Sequence, residues 1–243
     1  TQGPPRPLRA PVRKALSIGI NYYALPRGRG QLSGCINDSD TMISVLKGVF
    51  NFGDAQICRL RDDDHTLLPS KANMLAAFRW LTSGAAEGDE MFLHYSGHGG
   101  QQKDMDGDED SGKDQTLIPC DFKTAGQITD DELHRHLVEE LPKGCRLWVM
   151  LDCCHSGTAL DLRFKVQLSD DGRSVKCGKA RSRRRSGPSG GAGPRPSEAE
   201  VLMISGCKDS QTSADVQAGQ MGAGKAAGAM TTAFKHAIGP KVS

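Results

Sequence analysis

The stretch Arg146-Leu-Trp-Val-Met-Leu-Asp-Cys-Cys-His-Ser-Gly-Thr158 decides the fold. Residues 147–151 form a short, bulky apolar run bounded by polar residues, the pattern of a buried strand. The run stops at Asp152. Cys153, Cys154, His155 and Ser156 follow, all chemically active types, and Gly157 permits a tight turn. Open α/β sheets hold their ligands at the carboxyl ends of strands, so a strand that runs into a nucleophile marks a site.

Upstream, Glu90-Met-Phe-Leu-His-Tyr-Ser-Gly-His-Gly-Gly100 has the same construction. Residues 91–95 make a second strand, and His98 lies just beyond it between Gly97 and Gly99, which let the backbone come close to a bound chain. If the two strands are parallel neighbours, His98 and Cys154 face one crevice. A thiol beside a glycine-flanked histidine reads as a nucleophile and base, since the imidazole takes the thiol proton and later protonates the leaving amine. A lone cysteine would instead read as an inert packing group. His155 adjoins the nucleophile and points away from it on a strand, so it is a poor base. No third member is legible.

The segments Tyr95-Ser-Gly-His-Gly99 and Asp152-Cys-Cys-His-Ser-Gly157 resemble the metacaspases, the caspase-related proteases of protists, fungi and plants. The likeness continues through Gly34-Cys-Ile-Asn-Asp38 and Ile204-Ser-Gly-Cys-Lys-Asp-Ser-Gln-Thr-Ser-Ala-Asp215, and so covers most of the chain. The separation of His98 and Cys154, 154 − 98 = 56 residues, is close to the roughly 50 of caspases, but the caspase pentapeptide Gln-Ala-Cys-Arg-Gly is absent. The resemblance implies a caspase-like three-layer α/β sandwich, with a mainly parallel central sheet flanked by helices. It implies a calcium-dependent cysteine endopeptidase that cuts after Arg or Lys. In that pattern the nucleophile immediately precedes His-Ser-Gly and is Cys154, which leaves Cys153 as a packing residue. The backbone N–H groups of Gly99 and Cys154 would form the oxyanion hole. Cys35, Asp38, Ser96 and Asp152 match the positions lining the specificity pocket. A carboxylate pair at its base would suit a cationic side chain and reject an acidic one. Asp38 taken alone also reads as a helix-start aspartate.

Two metal readings compete with the resemblance. A zinc centre does not suit the cysteine–histidine cluster, because adjacent residues do not converge on one tetrahedral ion and the spacings of structural zinc modules are missing. The acidic loop at residues 104–114 fails as an EF-hand: counted from Asp106, Ser111 stands where glycine is needed and Leu117 where glutamate is needed. The resemblance supplies another calcium site, Asp114, Asp130, Asp131 and Asp161, drawn from separate loops. Its hard oxygen donors suit calcium better than zinc. Taken singly, Asp130 and Asp131 also suit a helix N-terminus after Thr129, and Asp161 a cap.

The remaining chain fills out the α/β pattern. Residues 1–13 form a Pro- and Arg-rich tail expected to be disordered, and residues 14–162 form the catalytic part. Within it the expected elements are a strand at 14–20, a helix at 34–50, a strand at 55–60, and a helix capped by Ser70 with Leu75, Phe78 and Leu81 inward. A further helix opens at the capping box 129–132 and runs through Leu133, Leu137 and Leu141. Residues 163–199 are basic and rich in Ser, Gly and Pro, and read as a disordered linker. Their bases at residues 176–185 lack interleaved aromatics, so no specific nucleic-acid partner is expected, and for an Arg/Lys-directed protease they offer a site of self-cleavage. Residues 200–243 return to a strand and a helix as the small-subunit-like part of the same domain.

Hydrophobic residues make up 37% of the 243, and the net charge is only +2. The mean hydropathy is −0.45. No run is long enough to span a bilayer, and the first residues lack a secretory core. Eight scattered cysteines without a C-x-x-C pair point to a reducing, intracellular and cytoplasmic setting. The chain starts without methionine, the mark of a trimmed sequence, so targeting residues are expected to be missing. Expected partners are peptide or protein substrates, with no membrane and a monomeric state. The rival class is a catalytically silent caspase-like scaffold that binds calcium or partners; the presence of both His98 and Cys154 argues against it.

Overall fold

Residue alternation along three strands sorts the interior into two layers. The computed structural model describes residues 9–103, 113–153, 159–160, 162, 164–168, 175–179, 198–205, 215–216 and 227–238. The elements run β1 (Arg13–Gly19), α1 (Cys35–Gly48), β2 (Ile57–Arg61), α2 (Lys71–Thr82), β3 (Glu90–Ser96), β4 (Gly99–Lys103), β5 (Lys113–Leu117), α3 (Phe122–Ala125), β6 (Ile128–Thr129), α4 (Asp130–Leu137) and β7 (Arg146–Asp152). They continue with β8 (Phe164–Leu168), β9 (Val175–Lys179), β10 (Glu200–Ser205), β11 (Asp215–Val216), β12 (Ala227–Gly228) and α5 (Ala229–Ile238). The central sheet has the order β10-β7-β3-β1-β2, and every pair in it is parallel.

Leu16, Ile18, Leu93, Tyr95, Leu147, Val149 and Leu151 project to one face, where they pack with Met74, Phe78 and Leu81 of α2 and Leu133 and Leu137 of α4. The alternate residues Ala15, Phe92 and Met150 project to the other, against Met42 and Leu46 of α1 and Met230 and Phe234 of α5. Period two along the strands therefore makes both faces apolar and calls for a helical layer on each. The result is the three-layer caspase-like α/β sandwich, a parallel sheet between α2/α4 and α1/α5.

Local signals set the helix starts. The Ser70 hydroxyl accepts from the Asn73 N–H, and the Thr129–Glu132 capping box opens α4. Two boundaries differ from expectation. Met74 is fully buried together with Phe78 and Leu81, whereas Leu75 is only partly buried against the same cluster, because the stripe Met74–Phe78–Leu81 aligns one position earlier. Helix α4 ends at Leu137, and Leu141 is buried from the following turn.

A further sheet was not legible. β4, β5 and β6 form an antiparallel three-stranded unit off the end of β3. The sequence of β4, Gly-Gly-Gln-Gln-Lys, carries no alternation, so backbone pairing and not side-chain pattern defines it. Within the stretch read as a linker, β8 and β9 pair antiparallel; Phe-Lys-Val-Gln-Leu does alternate, a period-two signal that the basic composition masks. The end of the N-terminal tail is anchored: Arg9 pairs with Asp89, and the Val12 N–H donates to Asp89 Oδ1 at 2.7 Å. Among the described residues, no helix is long and apolar enough to cross a membrane.

Candidate active site

The register of the central sheet pairs Ser96 with Asp152, the last residues of β3 and β7. Both strands therefore end together at the carboxyl edge, and His98 stands two residues past Ser96. Cys154, the expected nucleophile, stands two residues past Asp152 and lies outside the described residues, as does Asp161. Cys153 is buried in the apolar layer with Leu151 and Tyr95.

The half-buried His98 imidazole is held from two sides. Its Nε2 lies 2.8 Å from the Gly30 carbonyl oxygen. A carbonyl only accepts, so Nε2 carries the proton and, in the neutral ring, Nδ1 is left as the acceptor. The Tyr22 ring lies 4.6 Å from the imidazole, centroid to centroid. Gly30 thus supplies an orienting group that sequence reading lacked; as a backbone carbonyl it leaves no side-chain signature. Gly99 follows as the first residue of β4.

The pocket candidates divide by element. Cys35 opens α1, and its N–H donates to Asn21 Oδ1 at 3.0 Å. Asp38, in the first turn of α1, is fully buried and accepts from Ser96 Oγ at 2.6 Å. Asp152 is buried at the end of β7, and its Oδ2 accepts the N–H of Thr231 in the first turn of α5 at 2.8 Å. Ser96 and Asp152 project to the α1/α5 side of the sheet, so the fold gathers Asp38, Ser96 and Asp152 beneath that layer.

A buried polar chain continues from this group. His94 Nδ1 lies 3.1 Å from Ser17 Oγ, Ser17 Oγ lies 2.9 Å from Ser39 Oγ, and His94 Nε2 lies 3.3 Å from Thr231 Oγ1. Burial pushes the His94 pKa down to about 3. A neutral imidazole between two hydroxyls donates on one side and accepts on the other. Sequence reading missed this chain because His94 sits inside an apolar run, where it looks like a packing residue.

Asp114 on β5 and Asp130 and Asp131 at the start of α4 present carboxylate oxygens that all lie within 4.8 Å of one another. Asp130 also accepts from the Gln115 N–H at 2.9 Å. Asp114 and Asp130 are buried. Hard oxygen donors gathered from two elements are the ligand type that calcium takes.

Three of the other cysteines, Cys58, Cys120 and Cys145, make poor nucleophiles. Burial raises the thiol pKa of Cys58 and Cys145 and pushes Cys120 up to about 11. Each thus stays protonated near neutrality.

The sequence profile of the metacaspase, peptidase C14 domain matches residues 13–163. Metacaspase-1 of Cryptococcus neoformans var. neoformans serotype D (strain JEC21) is 41% identical over 259 residues, covering 93% of this chain and 55% of the relative. Metacaspase-1 of Mycosarcoma maydis is 42% identical over 255 residues, covering 91% of this chain and 61% of the relative. The chain thus spans a little over half the length of these curated relatives. Among solved structures, protein GSU0716 from Geobacter sulfurreducens aligns with a TM-score of 0.57 at 26% identity, over 91% of this chain and 79% of that one. A profile spanning both strand ends of the site, relatives at this identity over nearly the whole chain, and a parallel sheet that sets Ser96 beside Asp152 agree: the chain belongs to the metacaspase family.

Proposed function

We propose that the chain is a calcium-dependent cysteine endopeptidase that cleaves after Arg or Lys. The observation that carries the reading is the Ser96–Asp152 register together with the Nε2–H of His98 bonded to Gly30. It gives the histidine a fixed tautomer at the strand edge into which β7 runs. His98 Nδ1 takes the proton of Cys154 Sγ, and the thiolate attacks the peptide carbonyl. His98 then returns the proton to the leaving amine, and water, deprotonated by the same nitrogen, hydrolyses the thioester. N–H groups of Gly99 and Cys154 hold the oxyanion, each contributing a few kcal/mol, roughly 3, to the barrier reduction.

Asp38 and Asp152, with Ser96 and Cys35, receive the cationic side chain. Two buried carboxylates favour a guanidinium or ammonium and repel an acidic residue. Asp114, Asp130, Asp131 and Asp161 would hold calcium, which would supply positive charge to offset their carboxylates and would take no part in bond making. The supporting geometry is local: Asp114 pairs with Gln102 three positions along β4 from Gly99, so order at the carboxylates bears on the strand next to His98. The basic residues 176–185 are a self-cleavage substrate, tested by calcium incubation and mass mapping; an intact segment would remove that part.

The deciding experiment is hydrolysis of a fluorogenic arginyl peptide with calcium, with EDTA, and by Cys154→Ala. A calcium-stimulated rate that vanishes in the variant supports the reading. A rate that survives Cys154→Ala, or none under any condition, overturns it. Terbium luminescence on the protein and on Asp130→Asn reads the metal site separately.

A further inference from the structure

Tyr22 has a backbone φ of +58°, in the left-handed region that bulky residues seldom occupy. The cause lies on either side of it. Asp62, one residue past β2 and buried, accepts the Asn21 N–H at 2.9 Å on Oδ1 and the Tyr23 N–H at 3.0 Å on Oδ2. One carboxylate thus grips both neighbours of Tyr22 and turns its side chain inward. There the Tyr22 hydroxyl donates to the Ile118 carbonyl at 2.7 Å and accepts the His98 N–H at 2.8 Å. The Tyr95 hydroxyl donates to the His98 carbonyl at 2.7 Å, and the two hydroxyls are 3.3 Å apart. Both polar groups of the His98 backbone are therefore fastened by buried tyrosines. Gly97 completes the fit, since a Cβ there would lie 2.7 Å from Tyr95 Oη and 3.1 Å from Tyr22 Oη.

Strained backbone persists only where surroundings over-determine it, and it collects at functional sites. Here the strain ends on the imidazole. We propose that Tyr22, locked by Asp62, is a positioning residue that fixes the angle and tautomer of His98. The proposal rests on the peptidase reading of His98 for its kinetic consequence, and on nothing beyond the bonds above for its structural one. Tyr22 fixes the main chain of His98 through its hydroxyl and the ring plane through its own ring, while Gly30 holds Nε2. Loss of the hydroxyl frees the His98 N–H and lets the imidazole leave the Gly30 carbonyl. Burial holds the Tyr22 hydroxyl pKa well above its ordinary 10, so it remains both donor and acceptor at every working pH.

The test compares the parent with Tyr22→Phe, which keeps the ring against His98, and Asp62→Asn, which leaves Tyr22 whole but removes one of the two N–H acceptors. Steady-state hydrolysis of an arginyl peptide is expected to show kcat lowered roughly 10- to 100-fold in Tyr22→Phe, with KM little changed, and a smaller drop in Asp62→Asn. Long-range 1H–15N NMR of the His98 ring is expected to show the Nε2–H tautomer in the parent and a mixture of tautomers in the variants. Variants that lose only thermal stability, with kcat and tautomer unaltered, overturn the proposal by reducing Tyr22 to a packing residue. If Tyr22→Phe does not fold, a parent-like tautomer and kcat in Asp62→Asn overturn it alone. A parent without peptidase activity ends the peptidase reading, and the NMR comparison still decides the Tyr22 claim.

Discussion

The Ser96 hydroxyl donates to Asp38 Oδ2 at 2.6 Å, tying the carboxyl end of β3 to the first turn of α1. A hydroxyl bonded to a buried carboxylate contributes about 1.5–3 kcal/mol, and it holds the Asp38 side chain in place beneath the end of β3. Removing the charge of Asp38 is therefore expected to weaken capture of a cationic side chain more than it slows the chemistry. In Asp38→Asn, kcat/KM for an arginyl peptide should fall roughly 10- to 100-fold, mainly through KM. Preference for the arginyl peptide over its citrulline analogue should shrink in parallel. Paired steady-state kinetics check this, and an unchanged preference would remove Asp38 from the pocket.

His94 should shape the acid limb of stability. Its pKa is near 3 in the folded protein because it is buried, against about 6.5 in an unfolded chain. The unfolded state therefore binds the extra proton first. The stability tied to neutral His94 is complete above pH 6.5 and drains as the pH falls toward 3, by up to about 1.4 kcal/mol per pH unit. His94→Gln should be less stable at pH 7, since the bonds to Ser17 and Thr231 change, yet lose less on going from pH 6.5 to 4. Urea unfolding at several pH values measures the slope, and parallel slopes in the two proteins would contradict this account.

Two glycines separate close approach from open space. A Cβ on Gly19 would lie 2.5 Å from the Cys35 carbonyl oxygen and 3.1 Å from Ser39 Cβ, so β1 and α1 touch there through backbone. Gly19→Ala should cost about 1–3 kcal/mol, because the obstacle is main chain and not a movable side chain. A Cβ on Gly48, in the last turn of α1, meets nothing within 4 Å, and Gly48→Ala should stabilise by roughly 0.5–1 kcal/mol. Thermal unfolding of both variants checks the pair; equal shifts would mean that α1 does not dock as described.

The sequence alone determined the layered α/β class and the ends of β3 and β7. Apolar runs broken by reactive residues carry that information locally. It also located both capped helix starts, because Ser70 and Thr129 act within one turn of themselves. Tertiary structure alone decided what surrounds His98. The Gly30 carbonyl, the Tyr22 hydroxyl and the Asp62 carboxylate come from loops 68, 76 and 36 residues away (98 − 30, 98 − 22 and 98 − 62). Of these, a backbone oxygen has no residue signature, Tyr22 looks like any aromatic after a strand, and Asp62 disappears into the acidic turn 61–65. The same holds for β4 to β6, where polar strands are defined by partners distant in the chain. Patterns of burial are written in consecutive residues, whereas the hydrogen bonds that aim a side chain depend on which loops the packed sheet brings to one edge.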